Sequence, residues 1–171
     1  MTRFIYLITF LATIPAANWM IGNVGTVCVP NGPCLIPVAP GLMAPSGVLL
    51  IGIALVLRDA VHEYFGPIVA ALAIVVGASL SAFIAPAPLV VASGLAFLLS
   101  ELADMAVYTP LRRRRLVLAV LASGAVGAFV DSAVFLWIAF GSLDYLSGQV
   151  VGKVWMTVAA ALWLWGRRRR G

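Results

Sequence analysis

The stretch RRRRLVLAVLASGAVGAFVDSAVFLWIAF, residues 112–140, decides the fold class of this chain. It opens with four arginines, and Asp131 is the only ionisable residue in the apolar run that follows. About 20 consecutive apolar residues are enough for a helix to cross a bilayer. An arginine block next to such a run is typical of a cytoplasmic loop. The stretch therefore predicts a transmembrane helix that starts at the cytoplasmic face and carries one carboxylate within the membrane.

The composition of the whole chain also indicates a membrane protein. Of its 171 residues, 63% are hydrophobic and 10% are charged, and the mean hydropathy is +1.10. A soluble domain of this length would leave too much apolar surface exposed to water. The formal net charge of +5 comes mainly from two arginine blocks, Arg112–Arg115 and Arg167–Arg170, which each follow an apolar run. We therefore expect the lipid bilayer as a partner, and no nucleic acid.

At roughly 20 residues per span, the sequence predicts an all-α integral membrane protein with about six transmembrane helices in one domain, residues 1–171. Six spans place both termini in the cytoplasm, with the basic loop 110–115 and the basic tail 166–171, in a multi-pass protein of the cytoplasmic membrane. The first span also has features of a signal peptide, but its removal would leave five spans and put both arginine blocks outside. The predicted spans are Phe4–Ile21, Gly47–Tyr64, Ile68–Ala85, Leu89–Thr109, Leu116–Phe140 and Leu146–Trp165.

The one long loop, residues 22–46, is extracytoplasmic on this topology and is rich in glycine and proline. Its prolines prevent regular helix and favour turns or extended chain. Cys28 and Cys34 could form a small-loop disulfide outside the cell, and two unlinked thiols in a loop that packs as a lid are equally compatible. Their spacing is not a zinc motif and no histidine lies nearby, so no metal is predicted.

Four ionisable side chains interrupt the apolar runs of the later spans: Glu101, Asp104, Asp131 and Lys153. A charge in hydrocarbon costs at least ~2.5 to 3.5 kcal/mol, so such residues are retained mainly where they face a bundle interior or a polar cavity. These four residues are therefore the leading candidates for function.

Two of the four lie on the fourth span. Glu101 and Asp104 are three residues apart and share a helical face, with Tyr108 one turn further on. Two carboxylates in a low-dielectric interior repel, so one is expected to hold a proton or meet a cation. Arg58 is the predicted partner, because it lies in the same cytoplasmic half of the membrane.

The other two, Asp131 and Lys153, fall in the outer half and are predicted to form an interhelical ion pair. Gln149, Lys153 and Thr157 follow one another at helical spacing and would offer donors and acceptors to a cavity. The pair could instead only hold two helices together, but buried pairs are weak stabilisers, and this favours a functional role. Gly148 and Gly152 are predicted to let helix backbones approach closely.

The apolar run of the second span ends at Leu57 and is too short to cross about 30 Å of hydrocarbon. Arg58, Asp59, His62 and Glu63 are therefore expected in the inner part of the membrane or at its surface. Either they snorkel to the interface and neutralise each other, or they take part in gating or substrate contact. With one histidine in the chain, neither a histidine metal site nor a credible Ser-His-Asp arrangement is predicted.

Several of these residues lie in motifs that resemble those of a known family. Asp59-x-x-x-Glu63-x-Phe65-Gly66 resembles the family's Asp-x-x-x-Glu-x-Tyr-Gly signature. ASGLAF at 92–97, leading to Glu101 and Asp104, resembles its fourth helix, and DSAVFLWIAFG at 131–141 is similar to its fifth. Asn18 and Lys153 stand where its first and sixth helices carry an asparagine and a lysine. The family is the VUT group of queuosine-precursor transporters, and the resemblance covers nearly the whole chain.

This resemblance implies a fold similar to the substrate-binding subunits of energy-coupling-factor importers, and no enzyme activity or cofactor. It implies uptake of a 7-deazaguanine, such as preQ0, preQ1 or queuine, for tRNA modification. Arg58 stands where many members have Thr or Ser, and Glu101 where many have Gln, so the pocket could read a different precursor. Aromatic rings are expected to sandwich the substrate, and the available ones are Phe97, Tyr108, Phe135 and Trp155. The predicted substrate-binding residues are Asn18, Arg58, Asp59, Glu63, Glu101, Asp104, Tyr108, Asp131, Gln149, Lys153 and Trp155.

Two other classes of protein stay open. Ala12-x-x-x-Ala16 resembles the docking motif of energy-coupling-factor binding subunits, which need a separate energising subunit, although such spacing is frequent in membrane helices. An intramembrane aspartyl enzyme would use Asp104 and Asp131, but these lie at different predicted depths and the Gly-x-Gly-Asp type signature of such enzymes is missing. A homo-oligomer is compatible with the sequence as well.

Overall fold

The computed structural model describes residues 2–111 and 116–168, which form six helices and three short strands. The fold class predicted from the sequence, an all-α membrane protein, is confirmed, with one small sheet added to the helices. Arg112–Arg115 and the end of the basic tail, residues 169–171, lie outside the described part of the chain. The helices are α1 (Thr2–Asn23), α2 (Val48–Phe65), α3 (Pro67–Ser81), α4 (Ala87–Leu111), α5 (Leu116–Phe140) and α6 (Leu146–Arg168).

Three helices of the described residues are long and apolar enough to cross a membrane by length and composition: Arg3–Asn23, Ala87–Leu111 and Ala122–Phe140. Helix α3 is apolar but has only 15 residues, which is about 22 Å at 1.5 Å per residue. The last two turns of helix α2 carry the charged residues from Arg58 to Glu63. All six predicted spans coincide with helices, while a crossing by each of the six stays a prediction.

The proline-rich loop forms a three-stranded antiparallel sheet of β1 (Val27–Cys28), β2 (Cys34–Ala39) and β3 (Leu42–Pro45). Cys28 and Cys34 are register partners in the β1–β2 pair and are joined by a disulfide. Of the two alternatives left by the sequence, the structure has the linked one. The extended backbone agrees with the expectation from the prolines.

The sheet covers one end of the bundle and is fixed to it by close backbone contacts. The Ser46 hydroxyl donates to the Met20 carbonyl at 2.8 Å, which ties the sheet to the end of α1. A side chain at Gly148 would collide with the Met43 carbonyl of β3, and one at Gly152 would meet Val48 at 3.0 Å. The helix-to-helix approach predicted for Gly148 is therefore wrong, because its close neighbour is the sheet; Gly152 does meet a helix, at Val48 of α2.

Buried apolar residues form two clusters. The first joins α1, α2 and α3 through Phe10, Ile14, Ala54, Leu57, Val61, Ala70 and Ala73. The second joins the end of α1 to α4 and α5 through Ile21, Leu89, Ala92, Ala96, Phe135 and Leu136. Many large apolar side chains point outward instead, for example Phe83 and Ile68, as expected of a surface in contact with lipid.

Candidate functional site

A cavity lies at the centre of the bundle, and all six helices line it. About 640 Å³ of space not filled by protein atoms lies within it, a figure that includes its opening. Small-molecule sites are typically clefts with a few convergent polar groups in an apolar wall. The lining residues are Phe10, Ile14, Asn18, Ile21, Gly47, Val48, Ile51, Ala54, Leu55, Ile74, Ala78, Ser93, Gly94, Phe97, Asp131, Phe135, Gln149 and Lys153.

The cavity occupies the half of the bundle next to the sheet. Apart from Phe10 and Ile74, near the middle of their helices, and Gly47, just before α2, its residues come from the second halves of α1, α3 and α5 and the first halves of α2, α4 and α6. These helix halves end at the sheet, at the α3–α4 connection or at the α5–α6 connection, which lie at one end of the bundle. On the predicted topology this is the extracytoplasmic half of the membrane.

An ion pair between Lys153 and Asp131 forms the polar wall of the cavity. The Lys153 ammonium donates to Asp131 Oδ2 and, at 2.8 Å, to Ser132 Oγ. Lys153 is 2% exposed and Asp131 is 8% exposed, so water screens the pair little. The predicted ion pair is confirmed. Among the described residues these are the only ionisable ones in the cavity lining, so their charges balance there.

Ser132 fixes the position of the lysine. Its side chain is fully buried, and its hydroxyl donates to the Ala128 carbonyl at 2.8 Å. The oxygen lone pairs are therefore left to accept the lysine proton. Among the described residues, Asp131 and Ser132 accept from two of the three ammonium donors, and the third is available to a molecule in the cavity.

Two amide side chains place polar atoms without protein partners at the cavity wall. The Ser93 hydroxyl donates to Asn18 Oδ1 at 2.8 Å, which leaves Asn18 Nδ2 with no hydrogen-bond partner among the described residues. Gln149 Oε1 likewise has no partner there. Both residues are at least 97% buried. A buried polar group left unpaired costs about 1 to 3 kcal/mol, so such atoms call for a bound molecule or water.

Two of the predicted aromatic residues face the cavity and two do not. Phe97 and Phe135 line it, on α4 and α5. Tyr108 lies about three turns beyond Phe97 on α4, outside the lining. Trp155 is 62% exposed and points away from the cavity, toward the surroundings of the bundle. The apolar faces available to a ligand are therefore those of Phe97 and Phe135.

The acidic and basic residues of α2 and α4 lie beyond the cavity. Arg58 forms the predicted ion pair with Glu101, and its Nε and Nη2 donate to Asp59 Oδ1 at 2.9 and 2.7 Å. Asp59 and Glu63 are exposed. Asp104 faces α5, because a Cβ added at Gly127 of that helix would lie 3.5 Å from the Asp104 Cβ. The structure thus brings Asn18, Asp131, Gln149 and Lys153 together and places the other seven predicted site residues outside the cavity lining.

Sequence reasoning missed the two serines that hold the site in place. Ser93 stands inside the quoted ASGLAF stretch, and Ser132 directly follows Asp131. A serine in a membrane helix is common, because its hydroxyl can donate to the carbonyl four residues earlier, as Ser132 does. The signal that could have found Ser132 is its position next to Asp131, whereas nothing in the sequence links Ser93 to Asn18, 75 positions away.

A helical membrane bundle with a neutral, partly polar central cavity defines a protein that binds or moves a small molecule. A family model described as "Putative vitamin uptake transporter" matches residues 81–166, which is half of the chain and contains α4, α5 and nearly all of α6. The chain belongs to this family of transporters. Comparison with curated proteins and with solved structures gave no significant match.

Proposed function

We propose that this protein imports a queuosine precursor, a 7-deazaguanine, across the cytoplasmic membrane. The family accounts for uptake of a vitamin-like compound by a membrane protein. A queuosine precursor as the imported compound is supported by the resemblance of the motifs around Asn18, Asp59, Asp131 and Lys153 to queuosine-precursor transporters. The chemistry of the cavity supports it as well.

The observation that carries the proposal is the pair of unpartnered polar atoms in the cavity wall. Asn18 Nδ2 offers hydrogen-bond donors and Gln149 Oε1 offers an acceptor. The polar edge of a deazaguanine has the complementary groups, a ring carbonyl beside a ring N–H and an amino group. The carboxylate of Asp131 accepts a second N–H with the oxygen that Lys153 leaves free.

The rest of the wall suits a flat and uncharged ring. Phe97 and Phe135 present aromatic faces, against which a bicyclic heterocycle can stack. An anionic vitamin would add an unbalanced charge to a cavity in which Lys153 is already neutralised, and a buried unbalanced charge is strongly unfavourable. The same argument favours preQ0, whose nitrile is neutral, over preQ1, whose aminomethyl group is protonated at neutral pH.

The two serines act as positioning residues in this proposal. Ser93 holds the carbonyl oxygen of Asn18 and so turns its amino group toward the ligand. Ser132 holds Lys153 against Asp131. Neither serine needs to touch the ligand in order to affect affinity.

The test is uptake of preQ0, preQ1, queuine, guanine and an anionic vitamin, measured by mass spectrometry in cells that lack their own carrier. We expect uptake of a 7-deazaguanine with the wild-type chain, little with Gln149→Leu, and normal uptake with Val154→Leu, an exposed position on the same helix. Binding without uptake would indicate instead a binding subunit that needs an energising partner. Neither binding nor uptake of any deazaguanine would contradict the proposal.

A further inference from the structure

The cavity has a floor formed by two aromatic rings on the side away from the sheet. Phe10 of α1 and Phe97 of α4 are the lining residues of their helices that lie furthest from it. Their ring centroids are 6.5 Å apart and the rings are tilted by 54°. The two rings therefore close the cavity on this side between α1 and α4.

The ion pair between Arg58 and Glu101 lies directly beyond this floor. Arg58 follows the lining residue Ala54 by four positions, and Glu101 follows Phe97 by four, so each lies one helical turn further from the sheet. The guanidinium carbon of Arg58 is 5.8 Å from the centroid of the Phe97 ring, within the range of a cation–π contact. Arg58 therefore contacts both the floor and the carboxylate behind it.

The pair also links two helices whose buried residues belong to different apolar clusters, although α1 contributes to both clusters and Phe97 of α4 packs against the first. The buried residues of α2 belong to the first apolar cluster, with α1 and α3. Those of α4 belong to the second cluster, with α5. A tie between Arg58 on α2 and Glu101 on α4 opposes separation of the two groups at the level of the floor.

We propose that Arg58 and Glu101 form the latch of an inner gate whose barrier is the Phe10–Phe97 pair. Neither residue lines the cavity, so a role in holding the floor closed fits their positions better than substrate contact. Arg58 Nε and Nη2 also donate to Oδ1 of the exposed neighbouring residue Asp59, but this contact stays within α2 and does not reach α4. Opening requires the ion pair to break and the two rings to part. The gate acts on whatever molecule occupies the cavity.

The test uses Gly94→Cys as a reporter in the full-length protein. Gly94 lines the cavity, and a Cβ there has only the Ala78 Cβ near it, at 4.0 Å. Cys28 and Cys34 are joined in a disulfide and give little background. A membrane-impermeant thiol reagent is applied to sealed vesicles of each orientation. The measured quantity is the ratio of labelling from the membrane side of the α2 C-terminus to labelling from the membrane side of the sheet. The ratio corrects for differences in the amount of folded protein.

Glu101→Gln and Arg58→Gln should each raise this ratio about two- to fivefold, as expected for the loss of a partly exposed ion pair. The control Asp59→Asn removes only the bond to the neighbouring residue and should leave the ratio unchanged. The exchanged pair, Arg58→Glu with Glu101→Arg, should restore the wild-type ratio. An unchanged ratio in both single variants, an equal rise in Asp59→Asn, or no restoration by the exchange would each overturn the latch. No substrate is needed, so failure here is separate from failure of the proposed import.

Discussion

Replacing Lys153 by methionine should strongly destabilise the protein, because it leaves Asp131 in the interior without its cation. Lys153 is 2% exposed and Asp131 8% exposed, so neither water nor salt screens the charge effectively. Removal of one partner of a buried ion pair costs about 3 to 5 kcal/mol. That is a large part of the roughly 5 to 15 kcal/mol by which folded domains are stable.

A double-mutant cycle separates the stranded charge from the loss of packing. Asp131→Asn together with Lys153→Met removes both charges at similar volume, and we expect it to recover at least half of the cost of Lys153→Met. The free energy of unfolding is measured for each protein purified in the same detergent. Asp59→Asn is the control for an exposed ion pair, and we expect it to lower this free energy by at most about 1 kcal/mol. A cost of Lys153→Met no larger than that of the control would refute the argument that the pair is buried and closely coupled. Uptake should be lost in all three variants of the cycle, which are Lys153→Met, Asp131→Asn and the double variant.

Three further predictions concern the site, the sheet and the orientation. Ser93→Ala should weaken ligand binding by about 3- to 10-fold, the value of one hydrogen bond, with Ser93→Thr close to wild type in the same binding assay. Gly148→Ala should lower the thermal stability by about 1 to 3 kcal/mol, because its Cβ would overlap the backbone of β3. Gly124→Ala, where nothing lies within 4 Å, should be neutral or slightly stabilising in the same melt. Single cysteines introduced in the loop 22–46 should be labelled from outside the cell, and labelling from the cytoplasm alone would reverse the predicted topology.

Charged residues made part of the site predictable from the sequence. A buried charge needs a partner, and Asp131 and Lys153 were the two opposite charges at matching depth, so their pairing followed from the spans alone. Arg58 and Glu101 followed in the same way. The position of Arg58 and Glu101 relative to the cavity could not be predicted, because the level of the aromatic floor depends on how α1 and α4 pack.

Uncharged polar residues gave no comparable signal. Asn18 and Ser93 are separated by 75 positions, and only the packing of α1 against α4 brings them together. The small sheet was equally hidden, since its pairing depends on the register between Cys28 and Cys34 and on support from α6. Proline indicated extended chain there, but not which strands would pair.

On the predicted six-span topology, the shortness of α3 should make the protein sensitive to the thickness of its membrane. Fifteen residues cover less than a typical hydrocarbon core, so a crossing by this helix would require the bilayer to thin beside it or the helix ends to draw polar groups inward. Ile74 and Ala78 of the same helix form one wall of the cavity. Strain from hydrophobic mismatch therefore acts on the wall directly, and transport should be fastest in lipids with short acyl chains.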